Sequence, residues 1–178
     1  MFELDKLLFL SINATTTSPA WLVPLARFAS QELPQWLVAG TIGAFVVGDT
    51  RIQRCVLRVV CAMLVAWLLA RLGQHFFPMP RPFSVGMGTV WLSHAQSAGF
   101  PSTHASVAFA FGATLAWSTQ RRLLTLAALG LATLIAWSRI CLGLHFPSDA
   151  LAGAGIGVAS AWLAGLVPLA TRKVHPAL

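Results

Sequence analysis

The chain has 178 residues, of which 57% are hydrophobic and only 10% charged, whereas a soluble domain carries about 25% charged residues. That balance argues against a soluble core and makes a bilayer the natural solvent for a single domain covering residues 1–178. The formal net charge of +7 comes without basic clusters interleaved with stacking aromatics, which argues against a nucleic-acid partner.

Residues 1–18 read as a short amphipathic segment and a polar turn, Asn13 to Ser18, before Pro19 opens a new element. The start is acidic on balance and lacks a long apolar stretch ending in a cleavage site, so the later spans are expected to direct insertion. Residues 20–48 are apolar but interrupted by Arg27, Gln31, Glu32 and Pro34, as in one long bent span or an interfacial helix leading into a span. A basic loop with Arg51, Arg54 and Arg58 precedes a second span at about 55–77, which carries Arg71 and Gln74 near its far end. Residues 78–100 form a loop rich in Pro, Gly and Ser. The third span starts at Pro101 and ends near Ser118, and Arg121 and Arg122 separate it from a fourth at about 123–143. A His-Phe-Pro-Ser turn at 145–148 leads into a fifth span, about 149–170, followed by Arg172 and Lys173.

The expected fold is therefore all-α, a polytopic membrane bundle of about five transmembrane helices. With five spans, the basic groups at 51/54/58, 121/122 and 172/173 share one side, which the positive-inside rule makes cytoplasmic. The loop at 78–100 and the turn at 145–148 then share the outer face. In the last span Gly153, Gly157, Ala161 and Gly165 lie four apart, a small-residue stripe that suits close packing within the bundle or a dimer. Cys55, Cys61 and Cys141 lack metal-type spacing and read as buried thiols.

The polar residues that need explaining collect at the outer ends of spans two to five. His145 and Asp149 are spaced i,i+4 and can share a helical face. The carboxylate can fix the imidazole tautomer and leave the other nitrogen free to attack, or the pair can be a plain structural contact. Pro101 and Ser102 mark a helix start, whose free amides suit a phosphate. His104, in that first turn, is placed to give a proton to a leaving oxygen or to sit as a surface histidine. Arg81 and Arg139 carry guanidinium forks that match phosphate oxygens. Arg81 can also anchor headgroups. Arg139 adjoins an apolar run, where an ionisable group is costly unless paired or functional. Arg139 and His145 cannot share a helical face, so the helix must end between them, and Gly143 is a plausible stop. His75, His94 and His175 have no assigned role.

In order, Pro80-Arg81-Pro82-Phe83, Phe100-Pro101-Ser102-Thr103-His104 and Ser138-Arg139 followed by His145 and Asp149 resemble the motifs of the type 2 phosphatidic acid phosphatase (PAP2) superfamily across residues 74–149. The resemblance implies that His145 attacks phosphorus and forms a phosphohistidine, that Asp149 orients it, and that His104 protonates the leaving group and then activates water. It also implies that Arg81, Ser102, Arg139 and the Thr103 amide hold the phosphate oxygens, with no metal and no cofactor. The family usually has lysine seven residues before the arginine of the first motif. Here that position is Gln74, which can donate a hydrogen bond but brings no charge, and Arg71 or His75 stands nearby to compensate.

Leu10-Ser11-Ile12-Asn13-Ala14, Phe77 to Phe83 and Ala136-Trp137-Ser138-Arg139 are similar to the bacterial undecaprenyl-diphosphate phosphatases of the bacitracin-resistance type. That branch implies a multi-pass enzyme of the bacterial inner membrane with its site on the outer face, releasing phosphate from a lipid carrier diphosphate. The same residues also fit a phosphatase for phosphatidate, phosphatidylglycerophosphate or lipid A, a lipid phosphotransferase, or a non-catalytic lipid-phosphate-binding scaffold.

Overall fold

A computed structural model describes residues 3–93, 95 and 97–167. The end of the expected fifth span, the basic pair Arg172 and Lys173, and His94 and His175 lie outside the described residues. In chain order the elements are α1 (Glu3–Ile12), α2 (Leu22–Arg27), a π-helical turn (Phe28–Glu32), α3 (Leu33–Val47), α4 (Thr50–Phe76), a 3-10 turn (Pro82–Val85), α5 (Thr103–Ser118), α6 (Arg122–Cys141) and α7 (Pro147–Leu166). Among the described residues there is no strand, as the all-α expectation requires.

Three of the five expected spans, α4, α6 and α7, are long and apolar enough to cross a membrane. The 16 residues of α5 rise only about 24 Å, short of a hydrocarbon core of about 30 Å. Within 20–48, α2 runs through the π turn into α3 as one continuous helical rod. Two expected boundaries move. The basic loop is helical: Asp49 caps α4 by accepting from the amides of Arg51 and Ile52 at 2.9 and 2.8 Å, so Arg51, Arg54 and Arg58 ride on its first turns. Pro101 precedes α5 rather than opening it, because Ser102 takes the extended cap conformation and its Oγ accepts from the Ala105 amide.

α5 is the hub and packs against α4, α6 and α7. Its buried face is Ala105, Ser106, Ala108, Ala110, Gly112, Ala113 and Thr114, small side chains that let the neighbouring backbones come close. The stripe on α7 meets it. A Cβ on Gly153 would lie 2.6 Å from the Ser102 carbonyl oxygen, and one on Gly157 would meet the Ala110 amide at 2.7 Å. Ala161 joins Ala62, Ala66, Ala110 and Ala113 in one cluster, whereas a Cβ on Gly165 would meet nothing within 4 Å among the described residues. Large apolar side chains such as Leu64, Leu68, Leu126, Leu151 and Leu163 remain exposed, as lipid-facing surfaces do.

This packing gathers the C-terminal ends of α4 and α6 and the N-terminal ends of α5 and α7 at one end of the bundle. The N-terminal segment braces that end. Asp5 of α1 accepts from the amide and hydroxyl of Ser148 at 2.9 and 2.6 Å. Asn13 bridges the loop and α6, donating to the carbonyls of Thr89 and Cys141 at 2.9 and 3.0 Å.

Candidate active site

α6 stops where Gly143 takes a left-handed φ of 80°. The Leu144 amide returns to the Arg139 carbonyl at 3.0 Å and the Gly143 amide to Ile140 at 3.0 Å, the paired bonds of a Schellman ending. The chain then reverses through His145 and Phe146, and Pro147 opens α7 with its fixed φ. Asp149 sits in the first turn and accepts from the Phe146 amide at 2.9 Å. Its backbone carbonyl takes the Ser102 amide at 3.0 Å, so the starts of α5 and α7 are tied together. Both helices bring their positive dipole ends to this place, which favours an anion.

The two nitrogens of His145 have different neighbours. Nδ1 lies 3.3 Å from Oδ2 of Asp149, and Nε2 lies 2.9 Å from Nη1 of Arg81. A guanidinium can only donate, so Nε2 presents its lone pair to Arg81 and Nδ1 carries the proton toward the carboxylate. Arg81 also donates from Nε to the Ser97 carbonyl at 2.9 Å, from Nη1 to the Leu144 carbonyl at 3.0 Å, and from Nη2 to Ser97 Oγ and the Ala98 carbonyl at 3.3 and 3.1 Å. With the bond to His145, all five hydrogens of the fork are engaged. Burial pushes the Arg81 pKa down and the charge of Asp149 pushes it back up. Gly99 makes room, since a Cβ there would lie 3.1 Å from Arg81 Cγ and 3.4 Å from Asp149 Oδ2.

A cavity of about 260 Å³ opens at this end, lined by Trp67, Arg71, Gln74, Arg81, Ser97, Thr103, His104 and His145. His104 and His145 therefore face one space. Gln74 donates both amide hydrogens to α5's start, to the Pro101 carbonyl at 3.0 Å and Thr103 Oγ1 at 2.9 Å, and its oxygen accepts from Arg71 Nη1 at 3.2 Å. A larger space of about 330 Å³, near the α5–α6 connection, is lined by Ala116, Thr119, Gln120, Arg122, Thr125 and Leu126. It has neither an imidazole nor a carboxylate to do proton or nucleophile chemistry.

Three of the residues singled out from sequence do not line the cavity. Ser102 is fully buried as the cap of α5, and Asp149 stands behind His145. Arg139 is 2% exposed and donates from Nη1 to Ser30 Oγ at 2.6 Å, while its Nε and Nη2 have no hydrogen-bond partner among the described residues. Two unpartnered N–H-bearing nitrogens on a buried cation are expensive, and Arg81 is near enough for its charge to be felt there. An anion is the group that would relieve both. Ser97, Gly99, Ser30 and Asp5 were not singled out from sequence, because each meets its partner only through the fold. Among the described residues no group of three His, Cys, Asp or Glu side chains is arranged to hold a metal ion.

The sequence matches the family model described as the PAP2 superfamily over residues 55–172. It is 36% identical over 152 residues to YbjG of Escherichia coli (strain K12), covering 85% of this chain and 76% of that protein, whose name provisionally makes it an undecaprenyl-diphosphatase. It is 28% identical over 161 residues to the bacitracin transport permease protein BcrC of Bacillus licheniformis, covering 89% of this chain and 78% of that one. Among solved structures, Aquifex aeolicus LpxE superposes with a TM-score of 0.73 at 23% identity, over 92% of this chain and 95% of LpxE. A PAP2-type phosphatidylglycerolphosphate phosphatase from Bacillus subtilis superposes with a TM-score of 0.69 at 18% identity, over 91% and 83% of the two chains. At those identities the two structures show a common fold.

Proposed function

The chain belongs to the PAP2 superfamily and is a membrane phosphatase, and from that premise we propose that it hydrolyses undecaprenyl diphosphate to undecaprenyl phosphate and inorganic phosphate, with His145 as nucleophile. The observation that carries the reading is the two-sided hold on His145. Asp149 faces Nδ1, and Arg81, a natural phosphate ligand, faces Nε2. A terminal phosphate entering the cavity competes for the Arg81 N–H that now occupies the Nε2 lone pair, and so brings phosphorus to the freed nitrogen.

In the first step the Nε2 lone pair forms the N–P bond as the bridging P–O bond breaks. Its electron pair leaves with the lipid-linked oxygen, and His104 supplies a proton as needed. In the second step His104 takes a proton from water, the water oxygen bonds phosphorus, and the N–P bond breaks to return the lone pair to Nε2. Arg81, the open nitrogens of Arg139 and the start of α5 are fixed donors and dipoles for the charge that builds on the phosphoryl oxygens. The similarity to YbjG supports the diphosphate lipid as substrate, and the site is assigned to the outer face of the bacterial inner membrane.

The test is phosphate release by the purified protein from undecaprenyl diphosphate, phosphatidate, phosphatidylglycerophosphate and lipid A, with transfer to an acceptor lipid followed in parallel. The diphosphate is expected to have the highest kcat/KM. His145→Ala and His104→Ala are each expected to lose at least about 10²-fold in kcat. Undiminished hydrolysis by both variants would overturn the assigned roles, and a preference for another lipid would reassign the substrate. No turnover by the native protein on any of the lipids would leave a binding scaffold.

A further inference from the structure

We infer that Arg71, oriented by Gln74, is the subsite for the lipid-proximal phosphate of a diphosphate substrate and makes the site selective for diphosphates over monophosphates. This rests on the reading that His145 attacks the terminal phosphate. Gln74 is buried and both hydrogens of its amide are committed to Pro101 and Thr103. It therefore has no spare donor for a phosphate. Those two bonds also fix which way the side chain faces, and its oxygen holds Nη1 of Arg71. What Gln74 presents to the cavity is thus a second guanidinium.

Arg71 differs from Arg81 in what it has left to give. Every hydrogen of Arg81 already has an acceptor. Arg71 is exposed, and among the described residues its hydrogen-bond partner is Gln74 alone, so most of its fork remains for a ligand. Its place on α4 decides which phosphate it meets. Trp67, Arg71 and Gln74 follow at steps of four and three residues and line one side of the cavity. Trp67 lies roughly 10 Å further back along the helix axis than Gln74, toward the middle of the bundle, and is half-exposed. Arg81 and Ser97 belong to the connection that leaves the end of α4, beyond Gln74. A lipid arriving along the bundle reaches Trp67 and Arg71 before it reaches Arg81. Its terminal phosphate then goes on to His145, and the phosphate joined to the lipid stops beside Arg71.

The chemistry agrees with that placement. When the bridging P–O bond breaks, its electron pair stays on the proximal phosphate, which gains negative charge beside a cation. A monophosphate lipid leaves as an alcohol and has no second phosphate to place there.

The experiment compares kcat/KM of the full-length protein in detergent on undecaprenyl diphosphate and undecaprenyl monophosphate, for the native chain, Arg71→Ala and Arg71→Lys. A misfolded fraction cancels in the ratio of the two substrates, so the ratio is the readout. We expect the ratio to fall about tenfold or more in Arg71→Ala and to recover partly in Arg71→Lys, which keeps the charge and loses the fork. An unchanged ratio in Arg71→Ala, whether both activities persist or fall in proportion, overturns the subsite and leaves the functional reading in place. A native chain that does not favour the diphosphate overturns the functional reading and the subsite with it.

Discussion

Asp149 does two jobs with one oxygen. Oδ2 accepts from the Phe146 amide at 2.9 Å and lies 3.3 Å from Nδ1 of His145. In Asp149→Asn an amide oxygen in the place of Oδ2 keeps both contacts and the tautomer, but the negative charge that would balance a positively charged imidazole is gone. A fall of about 10- to 10²-fold in kcat is expected, the roughly 1.5–3 kcal/mol of a hydrogen bond to a charged group, with little change in melting temperature. Steady-state phosphate release and a thermal melt in detergent measure the two. A loss below about tenfold would leave Asp149 a helix-capping residue only. The pairing of His145 with Asp149 was legible in the sequence because i,i+4 spacing is local. The facing of His145 and Arg81 was not, since 64 residues separate them and only the fold of the intervening helices sets the distance.

Among the elements, the π turn at Phe28–Glu32 is the least regular part of the first long rod. Such turns often mark functional places, and this one buries Ser30 against Arg139. Ser30→Ala removes the hydrogen-bond partner that Arg139 has among the described residues. A drop of roughly tenfold in kcat/KM, about 1.4 kcal/mol, is expected, with recovery in Ser30→Thr. Equal kcat/KM in the Ala variant and the native chain would show that Arg139 is positioned by packing alone. The contact between α5 and α7 makes a second prediction. A Cβ on Gly157 would run into the Ser106 carbonyl and the Ala110 amide, whereas one on Gly165 would meet nothing within 4 Å among the described residues. Gly157→Leu should cost more than the 1–3 kcal/mol that overpacking usually costs, because backbone rather than a movable side chain is in the way. Gly165→Leu should change the melting temperature little. Equal shifts would refute the close packing. The rods themselves were readable as apolar runs between charges. Their ends were less so: Pro101 looked like a helix start, but the cap conformation belongs to Ser102.

For the molecule as a whole, helix directions fix which ends lie together, though not which side of a membrane they face. The starts of α4 and α6, with Arg51, Arg54, Arg121 and Arg122, lie away from the cavity end. In the orientation proposed from the positive-inside rule, the cavity is expected outside. Single cysteines in the 84–93 segment, in a chain whose own three cysteines are replaced, should react with an impermeant maleimide added to intact cells. Reaction only after the cytoplasmic side is opened would invert the topology. Composition and charge spacing made the membrane class plain. The N-terminal brace was invisible, because nothing local to Asp5 points to Ser148, 143 residues away.

The saturated guanidinium at Arg81 bears on how a catalytic cycle ends. Once inorganic phosphate has formed, each contact it keeps with this side chain is one that Ser97, Ala98, Leu144 or His145 can reclaim. The protein competes with its own product for the same hydrogens, so the departing ion is traded for internal acceptors rather than for an empty, charged hole. On the proposed reading of Arg81, such a site is expected to shed its product readily, with turnover persisting in surroundings already rich in phosphate.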